Sequence, residues 1–166
     1  MALAAGTMIR FAAAMVLGAS LAAAAACSRS PEAAAGAATA GETLVIETAS
    51  GKHPFKVEIA ASTEQRETGL MFRTQLAADA GMLFEYQQPE AILMWMRNTL
   101  IPLDMVFIGA DGRIMNVAER TVPQSLTTIP SAGLAKGVLE VNSGTAAKLG
   151  IKPGDRVLHP FFGTAP

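Results

Sequence analysis

The alternation of apolar and polar positions divides the chain beyond residue 42 into short extended runs. Phe55, Val57 and Ile59 alternate with Lys56 and Glu58, which puts three apolar side chains on one face of a half-buried strand. Leu44-Val45-Ile46 precedes it, and Ser50-Gly51-Lys52 between them is turn chemistry, so the domain opens on a hairpin. Ser62-Thr63-Glu64-Gln65 has the spacing of a capping box and Gly69 is a stop, predicting a helix of about two turns. Gly81 to Tyr86 predicts a third strand, with Gln87-Gln88-Pro89 as its turn. Ile92 to Arg97 is apolar on both faces, the pattern of a strand covered on two sides. Pro102 interrupts the run, after which Leu103 to Ile108, the loop Gly109-Ala110-Asp111-Gly112 and Arg113 to Glu119 predict a second hairpin.

From Arg120 to Gly137 the periodicity is lost, and Pro123, Pro130 and Gly133 intervene. Connections this long are uncommon, and the alternatives are a lid packed over the sheet or an inert ordered loop. Val138 to Val141 returns to strand. Asn142 or Ser143 is placed to cap a short helix that runs through Lys148 and ends at Gly150. Lys152-Pro153-Gly154-Asp155 fits a type II turn, Arg156 to His159 a last strand, and the residues from Pro160 a tail. The expected fold is mainly β: a small sandwich or barrel of about seven to eight strands with two short helices, one domain over residues 43–160, with 161–166 as tail.

Composition changes the picture at the N-terminus. Residues 1–26 join a start containing Arg10 to an apolar, alanine-rich run from Phe11 to Ala26, the organisation of a secretory signal peptide. The run is about 16 residues, shorter than the roughly 20 of a spanning helix. The single cysteine, Cys27, follows Ala24-Ala25-Ala26 directly and has no second thiol to pair with. Small residues before a cysteine resemble the bacterial lipoprotein signal, with cleavage before Cys27 and acylation of its thiol. A plain small-residue cleavage site is the alternative. Residues 27–42 contain no large apolar side chain and read as a flexible linker. The expectation is an exported protein in the periplasm or cell envelope, tethered to the membrane through lipidated Cys27.

Charge excludes one class of partner. Removing Arg10 from the 13 basic residues leaves 12 against 14 acidic ones, and no Lys/Arg run tracks a phosphate backbone, so no nucleic-acid partner is expected. His53 and His159 lack ligand spacing, so neither a metal nor a cofactor is expected. Met71, Met82, Met94, Met96, Met105 and Met115 lie in apolar runs and read as core filling rather than a copper site. Neither Ser125 nor Ser131 has a nucleophile-elbow context.

Five blocks in order carry a family resemblance: Gly69-Leu70-Met71-Phe72-Arg73, Gly81-Met82-Leu83-Phe84, Trp95 to Thr99 with Ile101 to Asp104, Glu140-Val141-Asn142, and Gly150-Ile151 with Gly154-Asp155. From Thr43 to His159 the chain resembles the Domain of Unknown Function 192 family. The resemblance implies a small, mainly β, often exported domain, and no established reaction or catalytic residue. Met94 stands where that family often has phenylalanine, and Arg97 where it often has lysine. The second change keeps the charge but alters hydrogen-bond geometry.

The residues whose partners decide the function are Arg73, Trp95, Arg97, Asn98, Thr99, Asp104, Glu140 and Asn142, with Glu119 beside them. Polar groups set in apolar runs cannot be buried unpaired without a cost of several kcal/mol. Asp104 shares its strand face with Val106 and Ile108 and is the expected inward carboxylate. Either Arg97 and Asn98 hold a small anionic or polyhydroxylated ligand oriented by Asp104, or Arg97 or Arg73 forms an internal ion pair with Asp104 or Glu140. A ligand-binding or accessory domain, a hydrolase using Asp104 with Glu140, and a protein-interaction domain are the candidate classes, the balance leaning away from an enzyme.

Overall fold

The computed structural model describes residues 39–165. Cys27, the expected signal peptide and most of the expected linker lie outside the described residues. The elements are β1 (Thr39–Thr48), β2 (Gly51–Ala60), α1 (Thr63–Thr68), β3 (Ala80–Met94), β4 (Leu103–Ile108), β5 (Ile114–Thr121), β6 (Ile129–Asn142), α2 (Thr145–Leu149) and β7 (Arg156–Leu158), followed by a 3-10 turn at Pro160–Phe162. The seven strands form one sheet in the order β5-β4-β6-β3-β2-β1-β7. It curls into a half-barrel. At one corner its two ends touch, where Arg113 bridges Arg156 and the Val157 amide donates to Gly112 O at 2.7 Å. All the strand pairs are antiparallel except β2 with β3, whose connection carries α1.

The sheet has a core on each face. On one face Leu44, Ile46, Phe55, Val57, Leu83, Val106, Ile108, Leu139, Val141 and Val157 pack together. On the other, Met82, Phe84, Leu103, Met105, Phe107 and Val138 pack under Leu70, Ile92, Met94 and Met96. β4 is buried along its whole length because both cores lean on it. Met82, Met94, Met96 and Met105 are all buried in the second core, as the apolar context of those methionines predicts.

Four sequence expectations are corrected. Gln87-Gln88-Pro89 is not a turn, because β3 continues through it with a register shift between Glu85 and Glu90. Arg120 to Gly137 is not one loop. β5 runs to Thr121 and β6 begins at Ile129, so Ile129 to Ala135 pairs with the outer half of β3. The segment does not pack over the sheet as a lid through its spaced apolar residues: Val122, Leu126 and Leu134 are exposed, and only Ile129 packs against the second core, from a two-stranded arm. Third, β3 ends at Met94, and the run from Ile92 to Arg97 is one-sided: Ile92, Met94 and Met96 are buried, whereas Leu93, Trp95 and Arg97 are exposed. Finally, Pro160 to Pro166 is more than tail, since Phe162 packs into the first core and Thr164 hydrogen-bonds Val157 O at 2.8 Å.

α2 corrects the expected cap as well. Its N-cap is Gly144, with no side-chain hydrogen bond from Asn142 or Ser143. The Asp104 carboxylate supplies the acceptor from β4 instead, taking the Ala146 amide at 2.9 Å.

Candidate functional site

A hollow lies where α1 and the turn after it face the arm. The capping box forms as the sequence predicts, with Ser62 accepting the Gln65 amide and Gln65 accepting the Ser62 amide at 2.9 Å. The helix ends at Gly69, whose φ is +48°, and a Cβ there would lie 2.9 Å from the Phe84 ring. Glycine therefore lets the end of α1 close against β3. Arg66 completes the attachment by donating to Ala61 O and to Glu85 O, the latter at 2.9 Å. Its guanidinium stands 4.8 Å from the centre of the Tyr86 ring.

The facing wall comes from the outer half of β3 and the residues after it. Strand alternation turns Ile92, Met94 and Met96 into the second core and leaves Leu93, Trp95 and Arg97 on the opposite face. Arg97 lies over Trp95, guanidinium carbon 4.9 Å from the ring centre. Between the walls is a pocket of about 190 Å³, lined by Leu70, Phe84, Tyr86, Trp95 and Thr99 together with the charged residues Arg66, Glu67, Arg97 and Glu140.

Glu140 sets the character of the pocket. It sits on β6 opposite Met82 of β3 and Met105 of β4, on the face of the second core, and is only 4% exposed. Among the described residues no group hydrogen-bonds or ion-pairs with its carboxyl, which instead lines the pocket. Burial pushes it up to about 8, because an ionised carboxylate there would lose its hydration without gaining a counter-charge. At neutral pH it is a carboxylic acid, offering one O–H donor and a carbonyl acceptor. Burial also raises Tyr86, an effect opposed by the nearby Arg66 charge.

The loops beside the pocket hold unusual backbone. Phe72 and Asn98 both adopt left-handed conformations, φ +63° and +56°, and the Phe72 amide donates to Asn98 O at 2.9 Å. A bulky side chain in that region is strained. Phe72 is nonetheless two-thirds exposed, so little burial offsets the strain locally.

The structure gathers only part of the sequence-derived cluster. Trp95, Arg97, Thr99 and Glu140 all line the pocket. Asn98 is exposed next to it, with its amide 3.7 Å from Met71 Sδ. Arg73 does not meet Asp104 or Glu140; it pairs with Glu58 through two hydrogen bonds of 2.8 and 2.6 Å. Asn142 donates to Leu76 O and Ala77 O, holding the loop before β3, and Glu119 is exposed.

Asp104 is inward and fully buried, as its strand parity predicts, but it faces the first core and pairs with neither arginine. Its Oδ1 accepts the Arg120 amide at 2.8 Å and its Oδ2 accepts the Ala146 amide at 2.9 Å. Because Asp104 lies opposite Val141, the neighbouring Glu140 points to the other face of the sheet, and the two carboxylates cannot share a substrate. This register excludes the ligand-orienting role for Asp104 and the hydrolase built on Asp104 with Glu140, while Arg97 and Glu140 both line the pocket with no ion pair between them among the described residues. Arg66, Glu67 and Tyr86 were missed as pocket residues. The one available signal was the position of Arg66 and Glu67 in a short capped helix directly before the Gly69 to Arg73 block.

Comparison with known proteins now places the fold. The family model described as Domain of Unknown Function 192, "Uncharacterized ACR", matches residues 45–159. The chain belongs to this family. No curated protein matches it. Among solved structures, a protein of unknown function from Novosphingobium aromaticivorans DSM 12444 is 42% identical, with a TM-score of 0.71 over 78% of this chain and 99% of that one. A putative transcription regulator from Sinorhizobium meliloti 1021 is 45% identical, with a TM-score of 0.72 over 75% of this chain and 97% of that one. This member of the Domain of Unknown Function 192 family thus shares its domain with solved structures, and the pocket has to be read from its own chemistry.

Proposed function

We propose that this chain is an envelope-tethered domain that captures a small polar ligand in the pocket between α1 and the outer half of β3. The observation that carries the reading is Glu140. A buried carboxyl without a partner costs several kcal/mol. A ligand that hydrogen-bonds it recovers part of that cost, which a purely structural site would have removed by pairing Glu140 internally. Pockets for small molecules combine apolar walls with a few directed polar groups, and this one has Leu70, Phe84 and Trp95 beside Glu140 and Arg97. The tether rests on sequence alone: the N-terminal signal pattern and the position of Cys27 after Ala24-Ala25-Ala26. Replacing Cys27 by alanine and fractionating membranes tests it; unchanged membrane association overturns lipidation.

Trp95 is the only tryptophan, so intrinsic fluorescence reports on the pocket wall. Screening the full chain against small carboxylates, amides, sugars and amines is expected to give saturable emission changes with one class, abolished by Glu140→Leu. If no class moves the Trp95 emission, the ligand reading falls. A protein-interaction role is the second reading, favoured by Phe72, Leu93 and Trp95, which are exposed at or next to the pocket. A nucleic-acid role gains no support here from a formal net charge of −1.

A further inference from the structure

Resting on the reading of this pocket as a ligand site, we propose that its ligand is a small organic carboxylate, bound with its anionic oxygens at the Arg97 guanidinium and a hydroxyl or carbonyl at Glu140. Three observations lead there. The first is what the aromatic rings already hold. Of the three aromatic rings in the lining, Phe84 is buried in the second core, and the two more open rings already carry a cation each, Arg66 4.8 Å over Tyr86 and Arg97 4.9 Å over Trp95. A ligand ammonium would meet two guanidiniums at the ring faces it needs.

The second is the sign of the lining. Its titratable groups are Arg66 and Glu67 from α1, Tyr86 and Arg97 from the β3 side, and Glu140 from β6. Burial pushes Glu140 up to about 8 and so disfavours its charge, which leaves Glu67 as the one other acidic side chain of the lining set against two arginines. The arginines are not equivalent. Arg66 spends its Nη1 donors on Ala61 O and Glu85 O, whereas the Arg97 guanidinium is exposed over the Trp95 ring and, among the described residues, makes no hydrogen bond or ion pair. A guanidinium stacked on an aromatic ring keeps its in-plane N–H fork free for bidentate contact with a carboxylate.

The third is size. A cavity of about 150 Å³ accommodates benzene. The 190 Å³ here accommodates a ring-sized body with one or two substituents. Phe84, Leu70 and Leu93 provide apolar contact for such a body between the two polar ends. At the buried end, the carboxylic acid of Glu140 donates to a ligand oxygen and accepts from a ligand O–H, which suits a hydroxyl or carbonyl better than a second charge.

The probes are 4-hydroxybenzoate, 4-hydroxybenzyl alcohol and 4-hydroxybenzylamine, which share a body and differ in the charge of one end. Binding to the full-length chain is measured by calorimetry at pH 6.5, with the Trp95 indole resonance reporting the site. The carboxylate is expected to bind at least tenfold more tightly than the alcohol, and the amine more weakly than either. Arg97→Gln is expected to remove the tenfold advantage, bringing the carboxylate to the affinity the variant shows for the alcohol, with the unfolding transition as the check that the variant is folded. Glu140→Gln keeps a neutral donor and acceptor and should retain the preference for the carboxylate. Equal binding of carboxylate and alcohol, preference for the amine, or an unaltered advantage in Arg97→Gln overturns the carboxylate assignment and leaves the pocket as a site for another class. Failure of all three probes also overturns it. Failure of the wider fluorescence screen as well removes the ligand reading itself.

Discussion

The contribution of Glu140 to the stability of this domain is expected to fall as the pH rises, in the range where most proteins are at their most stable. In the unfolded chain its carboxyl titrates near 4.5; in the folded domain burial holds it up to about 8. Below 4.5 both states are protonated and Glu140 has no effect on the pH dependence. Between 4.5 and 8 the unfolded state has released the proton while the folded state retains it, so each step up in pH favours unfolding. Above 8 both are ionised and the penalty is constant. The gap corresponds to about 5 kcal/mol over the full window, with about 3 kcal/mol already reached at pH 7. Glu140→Gln is neutral at every pH and of similar shape, so the difference between wild type and variant isolates this one titration. Urea unfolding of both proteins from pH 4 to 9.5 should show the variant gaining about 5 kcal/mol relative to wild type. At an m-value of about 2 kcal/mol per M, this amounts to a relative midpoint shift of roughly 2.5 M. A difference that stays within about 1 kcal/mol across the window would mean that Glu140 is hydrated or paired in solution, and would remove the premise of the pocket chemistry.

Other perturbations test the framework around the site. Asp104→Asn replaces one of two charged acceptors by an amide N–H directed at a backbone amide; unfolding should show a loss of about 2 to 4 kcal/mol with the Trp95 emission unchanged, and a loss below 1 kcal/mol would refute the bracing role. Phe72→Gly should be stabilising by about 0.5 to 1 kcal/mol, since it relieves a left-handed phenylalanine that buries little; a loss of stability would show that the ring packs in solution.

Local features were the legible ones. The Ser62 capping box, the alternation from Phe55 to Ile59 and the inward direction of Asp104 each follow from spacing within a few residues, and each is present. The arm was not legible because its strand character depends on a distant partner. Ile129 to Ala135 contains Pro130 and Gly133 and lacks any clean period, yet it pairs with Glu90 to Met94 across two register shifts. The first of those shifts, between Glu85 and Glu90, absorbs Gln87-Gln88-Pro89, whose local chemistry reads as a turn. The pocket was half legible for a related reason. Trp95, Arg97, Thr99 and Glu140 stood out as large or polar groups in apolar runs, whereas Arg66 and Tyr86 reach the site only through the way α1 docks on β3.

The two buried carboxylates show how register, rather than composition, separates structure from function here. Asp104 and Glu140 lie on adjacent central strands, both nearly inaccessible, and from sequence either could have been a brace or a site. The pairing of Asp104 with Val141 sends them to opposite faces. On the first face, Asp104 meets two backbone amides whose own partners are missing, one at the left-handed Arg120 and one at the start of α2, and its charge is consumed in holding β4, β5 and α2 together. On the second face, Glu140 lies among methionine and phenylalanine side chains under an arm that brings no donor to it. A shift of one residue between β4 and β6 would exchange these surroundings, leaving the α2 amide without its acceptor and the pocket without its acid. The same register that secures the fold therefore turns one carboxyl, with no protein partner, toward the pocket, where a ligand can hydrogen-bond it.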